Sequence, residues 1–474
     1  MIRWGISAGT HDASITVMRS DRVVFAAHSE RYSKVKNDKD LDVKLIREAL
    51  AFGSPEVVYW YENPILKATR KLYAGQDNIW LSPKKYLAKY GITAPIKWGY
   101  HHASHHAAGY YTRPYDFNDC AVLVIDAIGE WTTTSMWKND VKIWSANYPA
   151  SLGLFYSAFT AKIGLQPNCD EYILMGMAAY GNPHRFYTEL KDICIDGVNL
   201  HRGASWWRPE LTEADYFDVA AAVQRIYEEY FVSLLAKAKE LTGADKLVFM
   251  GGCALNCLGN RLIPNYFKRH WIMPNPGDAG SSLGAILAHT KKHINLSGPY
   301  LGHLIQGDYP VVEALKELST CGVVGVANGR AEFGPRALGN RSLFADPRGV
   351  KTKDAINAIK QRQEFRPFAP VIRAKDAGDY FDVEPGFQSA YMQRIVKCLT
   401  PDEYPAIVHK DGTSRVQTVT MNQNPGLYKL LTAWKEKTGC PMLLNTSLNI
   451  KGMPIVNTIE DGQDFERKYG VKVF

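Results

Sequence analysis

The sequence predicts an α/β fold in two consecutive parts, and three features carry that expectation. Short apolar runs such as Arg3–Ser7, Ala121–Ile125 and Lys246–Met250 end in loops bearing Gly or Asp, which is where an α/β sheet presents its ligands. Helical stretches with apolar residues three and four apart, notably Ala220–Leu241 and Ser281–Thr290, alternate with them. Around Leu296–Gly302 this periodicity lapses into turn formers, so division into 1–302 and 303–474 is expected.

A chain of 474 residues can hold two to four domains, and 46% hydrophobic with 22% charged residues excludes disordered and collagen-like classes. No apolar run approaches the ~20 residues of a membrane helix, and the opening lacks a signal-peptide core, so a cytoplasmic protein with no membrane partner is expected. The 8 Cys include no CxxC pair and read as reduced thiols, Cys253 and Cys257 as packing residues rather than ligands. A net charge of +8 allows phosphorylated small substrates or a nucleic acid.

Along the chain, Arg3–Ser7, Ser14–Arg19 and Val23–His28 read as a β-meander. His11 and Asp12 lie on its first loop, where an imidazole can take a proton from a hydroxyl. Glu30 to Asp38 brings cations, including Lys36, just after the third strand near the same face; an ion-paired surface turn is the plainer alternative. Tyr61–Trp98 interleaves about 7 basic and about 2 acidic residues with Tyr73, Trp80, Tyr86, Tyr90 and Trp98, a pattern that suits phosphate contacts and base stacking or an amphipathic helical subdomain.

His101-His102-Ala-Ser-His105-His106 places, if helical, His101 and His105 on one face, with His102 and His106 one residue later as an equivalent pair. With Asp126 ending the next strand, imidazole and carboxylate suit Fe, Mn or Zn better than Mg or Ca. Gly251, Gly252 and Asn256 after one strand, and the loop through Asp278 and Gly280 before a helix, read as paired backbone cradles for a phosphate, from which Asp278 can reach a metal.

The second part offers a strand at Val323–Ala327 and helices at Thr352–Ile359 and Leu427–Thr438. Its densest feature runs from Gly329 through Arg336, Lys360, Arg362 and Arg366, with about 11 basic against about 4 acidic side chains over 330–375. Interleaved Gly, Pro and Phe point to guanidinium groups on a semi-buried frame that bind a small anion, rather than a solvated face. Arg415-Val-Gln417 and Leu444–Gly452, with Ser447, Asn449 and Lys451, add donors suited to a triphosphate or carbonyl; a turn capping a strand is the alternative.

Taken together, GISAGTHDAS, EFGPRALGNRS, FRPFAP and LLNTSLN mean that the chain resembles the NodU/CmcH family of ATP-dependent O-carbamoyltransferases over most of its length. The resemblance implies an N-terminal actin-like (ASKHA) domain fused to a smaller C-terminal YrdC-like α/β domain. It implies that carbamoyl phosphate and ATP, with Mg, give carbamoyl-adenylate and pyrophosphate in the second domain, and that the first passes the carbamoyl group to a hydroxyl and releases AMP. Arg336, Lys360, Arg362, Arg366 and Arg415 are then assigned to adenylation, with Ser447, Asn449 and Lys451 as further contacts. Transfer is assigned to a metal, Fe or Mn, at His101, His105 and Asp278, and to His11 as base. Asp126 and Glu130 match the family's Asp-Gly-x-Gly-Glu signature, and Lys36 a lysine after Glu-Arg-Phe-Ser.

Three positions depart from the pattern: Ile173 stands where the family has Lys, Gln363 where it has Glu, and Ala127 where it has Gly. The chain is also shorter than a typical member. For the acceptor, a small-molecule natural product and a hydroxymethylated pyrimidine in DNA, flipped out of the helix, are both expected classes. The alternatives are a nucleic-acid-binding protein with a vestigial ATP site and a threonylcarbamoylation-type enzyme acting on tRNA. A homodimer is compatible with this reading.

Overall fold

The structure, a computed structural model, describes residues 1–77, 80–194, 199–366 and 368–474. The chain divides into two compact units, Met1–Ser29 with Asn37–Leu296, and Glu30–Lys36 with Ser297–Phe474. The division thus falls after Leu296 rather than after residue 302, because Tyr300–Ile305 is already a strand pairing within the second unit. The first unit is also interrupted: seven residues after the third strand are counted with the second.

The first unit contains two five-stranded sheets of identical topology. One has the order β3-β2-β1-β4-β5, from β1 (Ile2–Ser7), β2 (Ser14–Arg19), β3 (Arg22–His28), β4 (Val57–Trp60) and β5 (Ile96–Trp98). The other has the order β8-β7-β6-β9-β10, from β6 (Cys120–Ile125), β7 (Thr132–Lys138), β8 (Val141–Asn147), β9 (Lys246–Met250) and β10 (Arg269–Trp271). In each, the first three strands form an antiparallel meander and the last two join in parallel beside the first. The predicted meander and strand positions hold to within a residue. The duplication left no trace as a sequence repeat, because the two halves share topology rather than residues.

Each sheet ends in a helix that packs chiefly on the other sheet: His101–Tyr110, which follows β5, lies on β6 and β9, and Ser281–Thr290, which follows β10, lies on β1, β2 and β4. The two helices also pack on each other. Small residues permit the approach: a Cβ on Gly5 would stand 1.7 Å from the Ser282 carbonyl oxygen, and one on Gly284 would stand 1.9 Å from that of Ser104. β6, wholly apolar and buried throughout, reads as a strand covered on both faces. The N-terminal ends of both helices therefore meet the loops that follow β1 and β6.

The second unit is built on a mixed sheet of order β12-β14-β19-β15-β18. Its strands are β12 (Val323–Ala327), β14 (Arg341–Ala345), β15 (Ala369–Arg373), β18 (Gln417–Val419) and β19 (Met442–Ser447); the pairs β11 (Tyr300–Ile305) with β13 (Gly329–Glu332) and β16 (Ile395–Lys397) with β17 (Thr413–Arg415) flank it. Helices Val311–Cys321 and Pro425–Thr438 pack on each other, with Leu427, Leu430, Leu431 and Trp434 buried. The register pairs Ser342 with Ser447, Ala369 with Asn445 and Val371 with Gln417. The starts of β14, β15 and β18 thus lie at the same end as the finish of β19.

Gly284→Ala should lower the free energy of unfolding by about 1–3 kcal/mol, because the added methyl must separate the two crossing helices. Gly378→Ala, whose Cβ meets nothing within 4 Å, should stay within about 0.5 kcal/mol. Denaturant unfolding of both variants checks the pair.

Candidate functional site

Four buried side chains converge where the two crossing helices meet the strand-end loops. His101 and His105 come from successive turns of helix His101–Tyr110, Asp126 from the end of β6, and Asp278 from the turn that opens helix Ser281–Thr290. One donor atom from each lies within 4.8 Å of all the others. His101 Nε2 is 3.1 Å from Asp126 Oδ2, 3.3 Å from Asp278 Oδ1 and 3.1 Å from His105 Nε2, while His105 Nε2 is 3.2 Å from Asp278 Oδ1.

Helical geometry settles which pair of histidines faces the cluster. His102 Nδ1 hydrogen-bonds Ser135 Oγ at 2.9 Å, and His106 stacks on Trp137 at 4.1 Å and hydrogen-bonds the Asn139 carbonyl at 2.8 Å. Burial lowers the pKa of both, His106 to about 4; for His102, the neighbouring His101 and His105 add to the effect. They are neutral packing residues.

The donor set fits a divalent transition metal. The two Nε2 atoms lie 3.1 Å apart, close enough for both imidazoles to ligate one ion once deprotonated, and two buried carboxylates supply compensating charge. The surrounding contacts hold this geometry: Gly252 donates its amide to Asp126 Oδ1 at 3.0 Å, and Ser281 Oγ is 3.3 Å from His105 Nδ1. Glu130 accepts from the His101 amide at 3.0 Å and the Asn63 amide at 2.7 Å, placing a carboxylate at the start of helix His101–Tyr110.

His11 borders the cluster. Its Nδ1 is 2.9 Å from Asp12 Oδ2 and its Nε2 3.6 Å from Asp278 Oδ2. Burial disfavours charge on this imidazole, but Asp278 and Asp12, with Asp126 beyond, outweigh it and push its pKa up to about 10. For His101, burial is likewise overcome by Asp278 and Asp126, which hold it well above the imidazole range. The opposing penalty on Asp278 is overcome by His101, His11 and His105, which keep its carboxyl well below the carboxylate range.

In the glycine-rich loops, three of the amides expected to cradle a phosphate are already engaged within the protein. Gly251 donates its amide to the Pro276 carbonyl, Gly252 to Asp126 and Gly280 to the Gly277 carbonyl, all at 3.0 Å, so these three donors point inward. Gly251, at a φ of 94°, brings its Cα against β6, where a Cβ would stand 2.2 Å from the Ile125 carbonyl oxygen. Asn256 caps the short helix Cys257–Asn260 and hydrogen-bonds Gln224. Sequence reasoning missed Glu62, which binds Lys67 at 2.5 Å and lies 4.0 Å from His101 Nδ1; a carboxylate ending the apolar run of β4 was the available signal.

In the second unit the motif-bearing loops converge. Asn445 Nδ2 donates to Gln417 Oε1 at 2.6 Å and the Ala337 carbonyl at 3.3 Å, and Gln417 Nε2 donates to the Leu338 carbonyl at 3.0 Å, so loop 334–339 lies against both other motifs. Lys360 is buried, and its ammonium donates to the Ser447 carbonyl and hydroxyl and to the Asn449 carbonyl (2.9 Å) and Oδ1 (3.0 Å). Burial, then Arg362 and Arg366, hold its pKa well below the lysine range. Arg362 donates to Asn357 at 2.7 Å and lies 3.9 Å from the centre of the Phe368 ring.

Arg336 and Arg366 are half-buried, and Arg415 is half-buried with a side chain that makes no hydrogen bond or ion pair among the described residues. Lys451 is exposed, and Ser447 and Asn449 hold Lys360. Lys36 is half-buried and is the last residue of the segment Glu30–Lys36, which is counted with the second unit. Pro367 of FRPFAP lies outside the described residues. Arg341, within EFGPRALGNRS, is structural: fully buried, it donates to the carbonyls of Asn457, Asn328, Gly329, Asn340 and His303. Ile173, in place of a lysine, is a buried packing residue of helix Glu171–Met177.

Comparison with known proteins decides the family. The N-terminal carbamoyltransferase family model matches residues 61–287 and the C-terminal one residues 315–474. The chain belongs to the carbamoyltransferase family of NodU and CmcH. It is 32% identical to an uncharacterized Synechocystis protein (96% of this chain, 92% of the relative) and 30% identical to the Sinorhizobium fredii nodulation protein NolNO (95% and 76%). It is 36% identical to the 3'-hydroxymethylcephem-O-carbamoyltransferase of Amycolatopsis lactamdurans over 51% of this chain and 50% of that one. Among solved structures, the ADPNP-bound activator of the 2-hydroxyisocaproyl-CoA dehydratase from Clostridium difficile matches at 13% identity and TM-score 0.39, covering 61% of this chain and 97% of that one. This carbamoyltransferase is an enzyme of the transferase class, and no helix among its described residues is long and apolar enough to cross a membrane.

Metal analysis of the purified protein should find one iron or manganese ion per chain. Substituting His105→Ala or Asp278→Asn should abolish binding, whereas His102→Ala should retain the ion and cost stability alone.

Proposed function

We propose that this carbamoyltransferase is ATP-dependent and works in two steps, through a carbamoyl-adenylate made by the YrdC-like second unit and used by the actin-like first. The observation that carries this reading is the convergence of loop 334–339, Gln417, Asn445 and Ser447–Asn449 around one end of a sheet, with the buried ammonium of Lys360 bound to oxygens but to no carboxylate. Such a site lacks an anion, and phosphates supply one.

In the first step carbamoyl phosphate gives its phosphoryl group to water, and an oxygen of the resulting carbamate attacks the α-phosphorus of ATP, expelling pyrophosphate. The developing negative charge falls to Lys360, Arg336, Arg362, Arg366 and Arg415. Arg415 brings a guanidinium with no protein partner among the described residues, so it can engage a phosphate without breaking an ion pair.

In the second step the acceptor's hydroxyl oxygen attacks the carbamoyl carbon and AMP leaves. A divalent iron or manganese held by His101, His105, Asp126 and Asp278 would supply Lewis acidity there. Asp12 fixes His11 so that Nε2 faces the site, and this nitrogen takes the acceptor proton. With its pKa at about 10, His11 is protonated at neutral pH while Asp278 and Asp126 stand uncompensated, so its action as a base requires their charge to be balanced.

For the acceptor, a small-molecule alcohol is the first reading, and exposed side chains favour a hydroxymethylated pyrimidine in DNA as the second. Tyr73, Trp80 and Trp98 are exposed, as are Lys84, Lys85 and Lys89, within one stretch between β4 and the end of β5. A small pocket lined by Gly9, Trp60, Glu62, Lys67, Lys71 and Leu81 opens beside the loop that carries His11. Incubation with ATP, carbamoyl phosphate and hydroxymethylpyrimidine DNA should add one carbamoyl group per modified base by mass spectrometry; labelling of small alcohols alone would refute the DNA reading.

Carbamoyl-phosphate-dependent exchange of pyrophosphate into ATP should occur without any acceptor, and Arg415→Ala should lower it about 100-fold while transfer from supplied carbamoyl-adenylate persists. The lowered pKa of Lys360 also predicts opposite pH signs. Exchange falls as pH rises through that pKa, because the ammonium is lost. Stability rises between that pKa and the unfolded lysine's, because the unfolded chain there binds the extra proton. Lys360→Met should remove the stability slope, read as the difference from wild type in denaturant unfolding.

A further inference from the structure

Arg31 is a buried cation that the proposed chemistry leaves unused. It sits in the short helix Glu30–Ser33 and is 2% exposed. Its Nη2 donates to the Gly334 carbonyl at 3.0 Å, and its Nε is 3.8 Å from Glu30 Oε1. Nε and Nη1 are buried and have no hydrogen-bond partner among the described residues. A guanidinium offers five donors, and burying it with so few satisfied is costly. A well-packed apolar residue would serve mere stability better.

Its one close bond falls at a sensitive place. Gly334 opens the loop 334–339, and the rest of that loop is held residue by residue: Glu332 Oε1 accepts from the Leu338 amide at 2.7 Å and the Asn340 amide at 2.9 Å, Asn445 takes the Ala337 carbonyl, and Gln417 the Leu338 carbonyl. Between the Arg31 anchor and these lie Pro335 and Arg336. Arg31 is itself fixed, because Lys34 Nζ donates to its carbonyl at 2.8 Å and pairs with Asp461 at 2.5 Å, the acid that caps helix Ile459–Tyr469. Burial pushes the Arg31 pKa down, and Glu30 and Glu332 oppose that shift.

We propose that Arg31 is a positioning residue for adenylation, holding the Gly334 end of the loop so that Arg336 meets the phosphates. This rests on the two-step reading above. Arg31 acts through the loop and touches no reacting atom. Losing it leaves Gly334 held through its neighbour Phe333, whose amide bonds the Pro299 carbonyl at 2.6 Å, while Glu332 still clamps the other end of the loop. A displacement of about 1 Å at Arg336 is worth about 100-fold in rate.

The test is carbamoyl-phosphate-dependent ATP–pyrophosphate exchange by the full-length protein carrying Arg31→Ala or Arg31→Lys. Arg31→Ala should lower the exchange kcat about 100-fold with KM for ATP little changed, and leave transfer from supplied carbamoyl-adenylate at the wild-type rate. Added methylguanidine should restore part of the exchange in this variant, which a purely structural role would not allow. Arg31→Lys, which keeps the charge but loses the planar fork, should remain folded and lose at least about 10-fold. If Arg31→Ala does not fold, Arg31→Lys alone decides. Wild-type exchange in a folded Arg31 variant, or an Arg31→Ala loss that methylguanidine does not relieve, overturns the proposal. Absence of exchange in the wild-type protein instead overturns the two-step reading itself.

Discussion

The close crossing of helices His101–Tyr110 and Ser281–Thr290 is the constraint on which the first unit's chemistry depends. Gly284 lets one helix backbone come within reach of the Ser104 carbonyl, and Gly5 lets the same helix settle onto β1. Only at that separation do His101, His105 and Asp278 share one point with Asp126. Each sheet supplies a strand-end loop and lends its closing helix to the other, so neither half holds the cluster alone. Two carboxylates and two imidazoles buried together are costly unless charge is balanced. Protons on His11 and His101 balance it without an ion, and a divalent cation does so with one.

The strands, the long helices and the histidine helix were legible in the sequence because each carries its own periodicity. Lys246–Met250 and Ser281–Thr290 fall where apolar spacing and Gly-bearing flanks place them. The choice between His101 with His105 and His102 with His106 was not legible, since both pairs have the same spacing; it is decided by what lies across each face, Asp126 and Asp278 for one and Ser135 with Trp137 for the other. The glycine loops carry a packing role that spacing does not show. Gly251 and Gly280 look like phosphate cradles, but the glycine is required by a backbone approaching within about 2 Å of where a Cβ would lie, against Ile125 and Asn275 respectively. Sequence shows that a backbone is bare and cannot show what comes close to it.

Basic residues in the second unit divide in the same way. Arg341 and Arg336 belong to one motif and carry the same charge, yet Arg341 is consumed by five backbone carbonyls. Composition counts both as anion ligands. What separates them is position along a strand: Arg341 begins β14 and points into the core, whereas Arg336 lies in the preceding loop. Lys360 falls between these cases, buried like Arg341 but near Arg362 and Arg366, so that an arriving anion gains from its charge as well as from theirs.

Residues 30–36 are counted with the second unit and residues 37–39 with the first. The former contribute Arg31 and Lys34 to the frame of loop 334–339. Where the chain returns, Asn37 accepts the Asp12 amide at 3.3 Å and donates to Asp12 Oδ1 at 2.9 Å, and the carbonyls of Asp38 and Lys39 accept the Ala13 and Gly9 amides at 2.7 Å. The loop bearing His11 thus rests on the backbone of residues 37–39. Asp12 and Asn37, at φ values of 53° and 55°, adopt the left-handed conformation that asparagine and aspartate tolerate best, which fits a tight polar return rather than a loose surface turn. An ion-paired turn on the surface would need none of this. The burial of Arg31 and the pairing of residues 37–39 with the His11 loop account instead for a short polar stretch held by specific contacts at both of its ends.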